Sequence, residues 1–206
     1  MNTITSAAST IARPHPHGSP VRLQGVQDGA DLALDVHPNN NGTTDITGQL
    51  GGDSVTLQVS PGLDQQASVS GNQDGRAFEL DIRRTTDGSV VLSGHEGTAA
   101  TQLRLAASGG TVTAAGTLEG APARFTVENR NGTLTITGTE SGAPLALDIE
   151  PSADGSLHFS GTKSGQPVDA TMRNYDNLPI TVETVGDFVP GFTPLEQVAI
   201  FHVLTA

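Results

Sequence analysis

Residues 133–155 read TLTITGTESGAPLALDIEPSADG, and residues 156–176 read SLHFSGTKSGQPVDATMRNYD. Both stretches alternate apolar and polar residues up to a glycine (Gly138, Gly161). A second glycine follows four residues later (Gly142, Gly165), and then the alternation resumes. Working outward, the first glycine recurs as Gly25, Gly48, Gly71, Gly94, Gly116, Gly138 and Gly161, and the second as Gly29, Gly52, Gly75, Gly120, Gly142 and Gly165. In the fourth unit the second glycine, Gly97, comes one residue early. Seven repeats of about 23 residues therefore cover residues 19–174, and a fixed period of this size defines the architecture before any single element does.

Each repeat has apolar slots at −4, −2, +7, +9 and +11 from its first glycine. In the sixth they are Leu134, Ile136, Leu145, Leu147 and Ile149; in the third, Ala67, Val69, Phe78, Leu80 and Ile82. Across all seven repeats only Thr44 and Thr101 break the rule. The slots between are polar except for Ala33, Val91, Ala115 and Ala146. Period-two alternation means two half-buried strands per repeat. A helical repeat would show spacings of three and four.

Turn chemistry separates the strands. Asn41-Gly42, Asp87-Gly88, Gly109-Gly110, Asn131-Gly132 and Asp154-Gly155 end the repeats, and such pairs tolerate the positive φ of tight hairpins. The paired glycines within each repeat read as the brackets of a second turn, which assigns Gly25, Gly48, Gly71, Gly94, Gly116, Gly138 and Gly161 as turn glycines. Pro122, Pro144 and Pro167 follow that turn, where a missing N–H does least harm. The expected fold is all-β: fourteen strands in an antiparallel up-and-down meander, as a barrel or a rolled sheet, with a short C-terminal helix. A β-solenoid with one coil per repeat is the alternative.

A single apolar sheet face must be covered. Eight strands close into a barrel that side chains can fill, but fourteen leave a lumen. A closed barrel of this sequence therefore needs a filler. Membrane barrels want aromatic girdles, and the chain has no Trp and one Tyr, Tyr175.

Composition excludes several classes. The net charge is −12, from 10 basic and 22 acidic residues, which argues against a phosphate-binding surface and so against nucleic acid as a partner. There is no Cys, hence no disulfide, thiol catalysis or Cys-ligated zinc. No apolar run is long enough for a transmembrane helix.

The ends differ from the repeats. Residues 1–18, MNTITSAASTIARPHPHG, hold no acid and no apolar run, so they read as a disordered tail and not as a Sec signal. With Ile4, several Ser and no acid before Asp28, this segment resembles the export signals of bacterial type III secreted effectors. That resemblance implies secretion into a host cell; a cytoplasmic location is the alternative. Residues 175–206 break the repeat. Thr193-Pro194-Leu195-Glu196 reads as an N-cap, a first-turn proline and an acid, predicting a helix over about 194–204. Phe188, Phe192, Leu195, Val198 and Phe201 are the candidates for capping the barrel or docking on a partner, because terminal elements of repeat arrays need covering.

The search for chemistry finds no P-loop, nucleophile elbow or zincin motif. His15, His17, His37, His95, His158 and His202 fall in different parts of the chain. No catalytic residue, metal ligand or cofactor is assigned. The outward −1 slots, Gln24, Thr47, Ser70, Ser93, Ala115, Thr137 and Ser160, form a row of mostly small hydroxyls, as an exposed β surface favours. The glycine-punctuated hairpins resemble MORN-type repeats in period and glycine use, though the turns Thr117-Leu118-Glu119 and Thr139-Glu140-Ser141 lack their aromatic residues. The expected function is a non-catalytic binding or interaction protein, with a protein partner or self-association. A structural or adhesive self-assembling protein and a small-ligand-binding barrel are the alternatives.

Overall fold

The computed structural model describes residues 20–175, 180 and 192–204. Fourteen strands follow one another: β1 Val21–Gln27, β2 Ala30–Pro38, β3 Thr44–Leu50, β4 Asp53–Pro61, β5 Gln66–Gln73, β6 Arg76–Arg84, β7 Val90–Glu96, β8 Ala99–Ser108, β9 Thr111–Leu118, β10 Ala121–Arg130, β11 Thr133–Glu140, β12 Ala143–Pro151, β13 Leu157–Lys163 and β14 Gln166–Asn174. One helix, α1, spans Pro194–Leu204. Every strand pairs antiparallel with its sequence neighbours, and β1 pairs with β14, so the meander closes into a barrel. Pairing between coils, as a solenoid would need, does not occur among the described residues.

The register carries the repeat into three dimensions. Leu23 pairs with Leu34, and Leu34 pairs with Gly48, two residues beyond Ile46, the equivalent of Leu23. The closing step repeats this offset: Phe159 pairs with Ala170 and Ala170 with Gly25, two beyond Leu23. Seven such steps give a shear of about 14 residues, equal to the strand number, and a backbone radius of roughly 13 Å. Equivalent slots of the seven repeats thus stand at one height, as level rings.

The alternating slots face inward as expected. All are buried except Val21 and Phe159, which are partly buried, and the two exceptions to the apolar rule, Thr44 and Thr101, are buried with the rest. The slots between them face outward.

The assignment of the first glycines to turns is corrected. Gly25, Gly48, Gly71, Gly94, Gly116, Gly138 and Gly161 lie inside the odd-numbered strands. Their offset continues the −4 and −2 series, but none of them is buried; they form a ring within the sheet itself, each pressed against the neighbouring strand. A Cβ on Gly71 would fall on the Thr56 carbonyl oxygen, and one on Gly94 on that of Glu79. The other five meet a neighbouring carbonyl in the same way. The strands coil sharply at this level, and only glycine allows the approach. The second glycines make the turns. Glu119-Gly120, for example, has positive φ at both residues (51° and 80°), the two-residue turn whose twist matches a hairpin.

The chain supplies its own filler. In α1, Val198, Ala199, Ile200, Phe201, Val203 and Leu204 are buried, and so are Glu196, Gln197 and His202. A helix buried on every side has no solvent face. Its neighbours lie all round the wall: Glu196 bonds Arg84 of β6, the His202 ring meets Phe125 of β10 edge-on, and Phe201 packs against Phe159 of β13. The C-terminal segment is therefore a plug inside the lumen, beyond the rim cover its sequence suggested. A helix with side chains is about 10–12 Å across, which suits the bore left once the wall's own side chains are counted.

Candidate functional site

Two polar anchors hold the plug in a largely apolar lumen. The first is at the rim where the helix starts. Thr193 N–H donates to Glu196 Oε2 (2.9 Å) and Glu196 N–H to Thr193 Oγ1 (3.4 Å), a reciprocal capping box. Arg84 then donates to both Glu196 oxygens, at 3.1 and 2.7 Å. Burial pushes the Glu196 carboxyl up, but the bonds from Arg84 and Thr193 outweigh it and hold the group below the usual carboxylate range. The Arg84 guanidinium also lies 5.5 Å from the centre of the Phe192 ring, within cation–π reach.

The second anchor is at the opposite rim, where the +2 slots point inward as Gln27, Leu50, Gln73, Glu96, Leu118, Glu140 and Lys163. Lys163 Nζ lies 3.7 Å from Asp28 and 3.6 Å from Glu140, and His202 Nε2 lies 3.9 Å from Glu140 Oε2. Burial, then the Lys163 charge, pushes the His202 imidazole down to about 3, so it is neutral at ordinary pH. Burial also pushes Glu140 up, against the pull of Lys163. Nearby, Glu96 is pushed up by burial and by the Glu119 charge, with Arg76 at 3.5 Å opposing. A carboxyl, an ammonium and an imidazole thus share a low-dielectric corner, where they can hold charge and hydrogen-bond.

Between α1 and the wall lies a cavity of about 30 Å³, bordered by Gln27, Lys163 and His202 and otherwise by apolar side chains, Phe159 and Phe201 among them. Among the described residues no group of His, Asp and Glu is arranged to hold a metal ion, and no helix is long and apolar enough to cross a membrane.

Of the residues singled out in the sequence, Phe192, Val198 and Phe201 are buried in the lumen and Leu195 is partly buried. Phe188, His15, His17 and the whole of residues 1–18 lie outside the described residues. The glycine ring belongs to the wall. His158 stands outward, 3.1 Å from Asp169, and His95 lies 3.7 Å from Glu79, so the histidines do not converge. Sequence reading missed Arg84, Glu140 and Lys163. Their signal was phase: +2 and +13 continue the inward series, and a charge there must be a lumen charge.

On the outside, Leu63 (84% exposed) and Tyr175 (44%) are the exposed large hydrophobics among the described residues. Tyr175 is engaged: its hydroxyl donates to Asp35 at 2.5 Å, and Arg22, bonded to the same carboxylate, lies against its ring. These contacts hold the Asp35 carboxyl below its ordinary range, with the Arg22 bond the largest cause.

Fold and lumen together define a class, a closed fourteen-stranded up-and-down barrel plugged by its own C-terminal helix. No protein family, curated protein or solved structure matches the chain.

Proposed function

We propose that the protein is a non-catalytic interaction module that meets its partner with the outer wall of the barrel. The observation that carries this reading is the plug: the lumen, where a barrel would place chemistry, is filled by the chain itself. What remains is a polar, edge-free outer surface, and a net charge of −12 favours a partner with a basic face. Closure also removes the free strand edges through which a self-assembling array would grow.

We further infer an exported role, as a type III effector acting on a host component. The acid-free, Ser-rich start supports it, and so does the connectivity. Thirteen of the fourteen strand pairings join sequence neighbours, and such local contacts favour rapid refolding after passage as an unfolded chain.

Two arms test the reading. Residues 1–50 fused to a reporter should enter host cells only through a functional type III apparatus; failure to do so removes the effector part. A photo-crosslinking side chain at outward Thr137 or Gln102 of the full chain should trap one discrete component in host extract, where the same group at inward Leu147 traps none. Absence of any outer-wall adduct overturns the interaction part.

A further inference from the structure

The pairing of β1 with β14 joins the two ends of the repeat array, and closing so long a loop costs more chain entropy than closing a hairpin. Strand β1 is also the least anchored stave. Within the barrel and plug it alone is tied at one end only, through the turn to β2, because β14 runs on towards α1. It buries one apolar side chain, Leu23, where β2 buries Leu32, Leu34 and Val36 and β14 buries Val168, Ala170 and Met172. The 30 Å³ cavity lies beneath it, touching Leu23 and Gln27 on β1 and Leu32, Val168 and Ala170 on the strands either side. The plug sits closest to β9 and β10, and side chains that face a void lose packing contacts.

The outside compensates. Tyr175, the first residue beyond β14, donates its N–H to the Pro20 carbonyl (3.0 Å) and so adds a bond to the seam. Its side chain then crosses β1. The ring lies against the Arg22 guanidinium, 5.2 Å from the ring centre, and the hydroxyl donates to Asp35 of β2 at 2.5 Å. Arg22 donates to the same carboxylate at 2.6 and 3.0 Å, and His37 of β2 stacks on the ring at 5.8 Å. One cluster thus binds three strands at the rim where the chain leaves for the plug. We propose that Tyr175 is a strap holding shut a detachable stave, β1, at which the barrel opens before the rest unfolds. With the strap released, β1 can leave while β2 to β14 stay paired. A pull on residues 1–19 reaches β1 before any other strand, so an apparatus that draws in that end would begin unfolding here. That use rests on the export reading; the strap itself does not.

The test is amide hydrogen exchange of the full chain, read by NMR. Amides of β1 should exchange about tenfold faster than those of β9 and β10. Tyr175→Phe, which keeps the ring and loses the hydroxyl, should speed β1 by about tenfold more and leave β9 and β10 within about twofold; Asp35→Asn is the second variant should the first not fold. Gln24 and Thr171 stand opposite each other across the seam, so Gln24→Cys with Thr171→Cys, once oxidised, should slow β1 to the rate of β9. Equal exchange in β1 and β9, or a Tyr175→Phe effect that is absent or spread over all strands, overturns the strap. In an export assay the oxidised pair should be held back and the reduced pair should pass. Free passage of the oxidised pair overturns the unfolding start at β1, whereas a parent chain that is never exported removes the export reading and leaves the exchange result to decide the strap.

Discussion

The wall of the barrel is written seven times and its plug once. In the wall, an irregular slot is held by neighbours on both sides: Thr101 sits in a row of apolar equivalents and is buried with them. The plug has no such redundancy. Its seat depends on one capping box with its ion pair to Arg84, one buried corner at His202 and the packing of a single helix. Repetition spreads the stabilisation over equivalent contacts, whereas the single helix concentrates it. The two regions should therefore break differently.

Removing residues 192–206 gives the largest expected effect. It strips the aliphatic wall of its filler, and the barrel should lose its cooperative thermal transition and expose apolar surface, seen as dye binding and aggregation. A truncated chain that stays monomeric and equally stable would mean that the wall stands alone. Next come the ring glycines. Gly94→Ala places a methyl on the Glu79 carbonyl and should cost about 3 kcal/mol or more in urea unfolding, as backbone must move. Gly120→Ala, at a turn with open space around it, should cost only about 1 kcal/mol, through its positive φ.

Arg84→Ala comes between those two. It leaves the Glu196 carboxylate 2% exposed with its capping bonds alone, and should cost about 2 kcal/mol, less than a fully buried pair because Arg84 is 24% exposed. The same change at outward Arg104, exposed beside Asp87, should be nearly silent in the same denaturation.

The smallest effect is a slope. His202 is neutral in the fold, with a pKa of about 3 against 6.5 when released. Its contribution is complete above pH 6.5 and is lost as pH falls towards 3, because the unfolded chain binds the proton first. Glu140, pushed up by burial, works the opposite way: its contribution is present at acid pH and lost as pH rises through its folded value. Between pH 7 and 5 the two work against each other, so relative to the parent the stability should fall less, or rise more, with acidification in His202→Leu, and the reverse in Glu140→Gln. An identical slope in all three would remove the lumen corner from the account.

Much of the wall was legible because alternation is a direct image of a half-buried strand, and Leu134-x-Ile136 cannot be read another way. The ring glycines were misread for a physical reason. Glycine commonly marks turns, and Gly138 stands only four residues from the real turn at Ser141-Gly142. The phase was nonetheless present, since Gly138 continues the inward series of Leu134 and Ile136, and Glu140 extends it. Closure needs that coiling, so misplacing the ring also hid the reason the sheet rolls shut. The plug was half legible: Thr193 and Glu196 announced the helix start, but residues 198–201 are apolar without interruption, which marks a helix with no outer face.

A sevenfold wall around a helix of 3.6 residues per turn has a consequence for uniqueness. Ideal repeats would offer the helix seven equivalent rotational settings and no ground for choosing among them. The degeneracy is broken where the copies disagree. At +13 the series runs Pro38, Pro61, Arg84, Ala107, Asn129, Pro151, Asn174, and at +2 Lys163 is the sole cation. These two odd members, one at each mouth, work as the wards of a lock. A version of this chain regularised towards its own consensus would keep its barrel and leave the key free to turn.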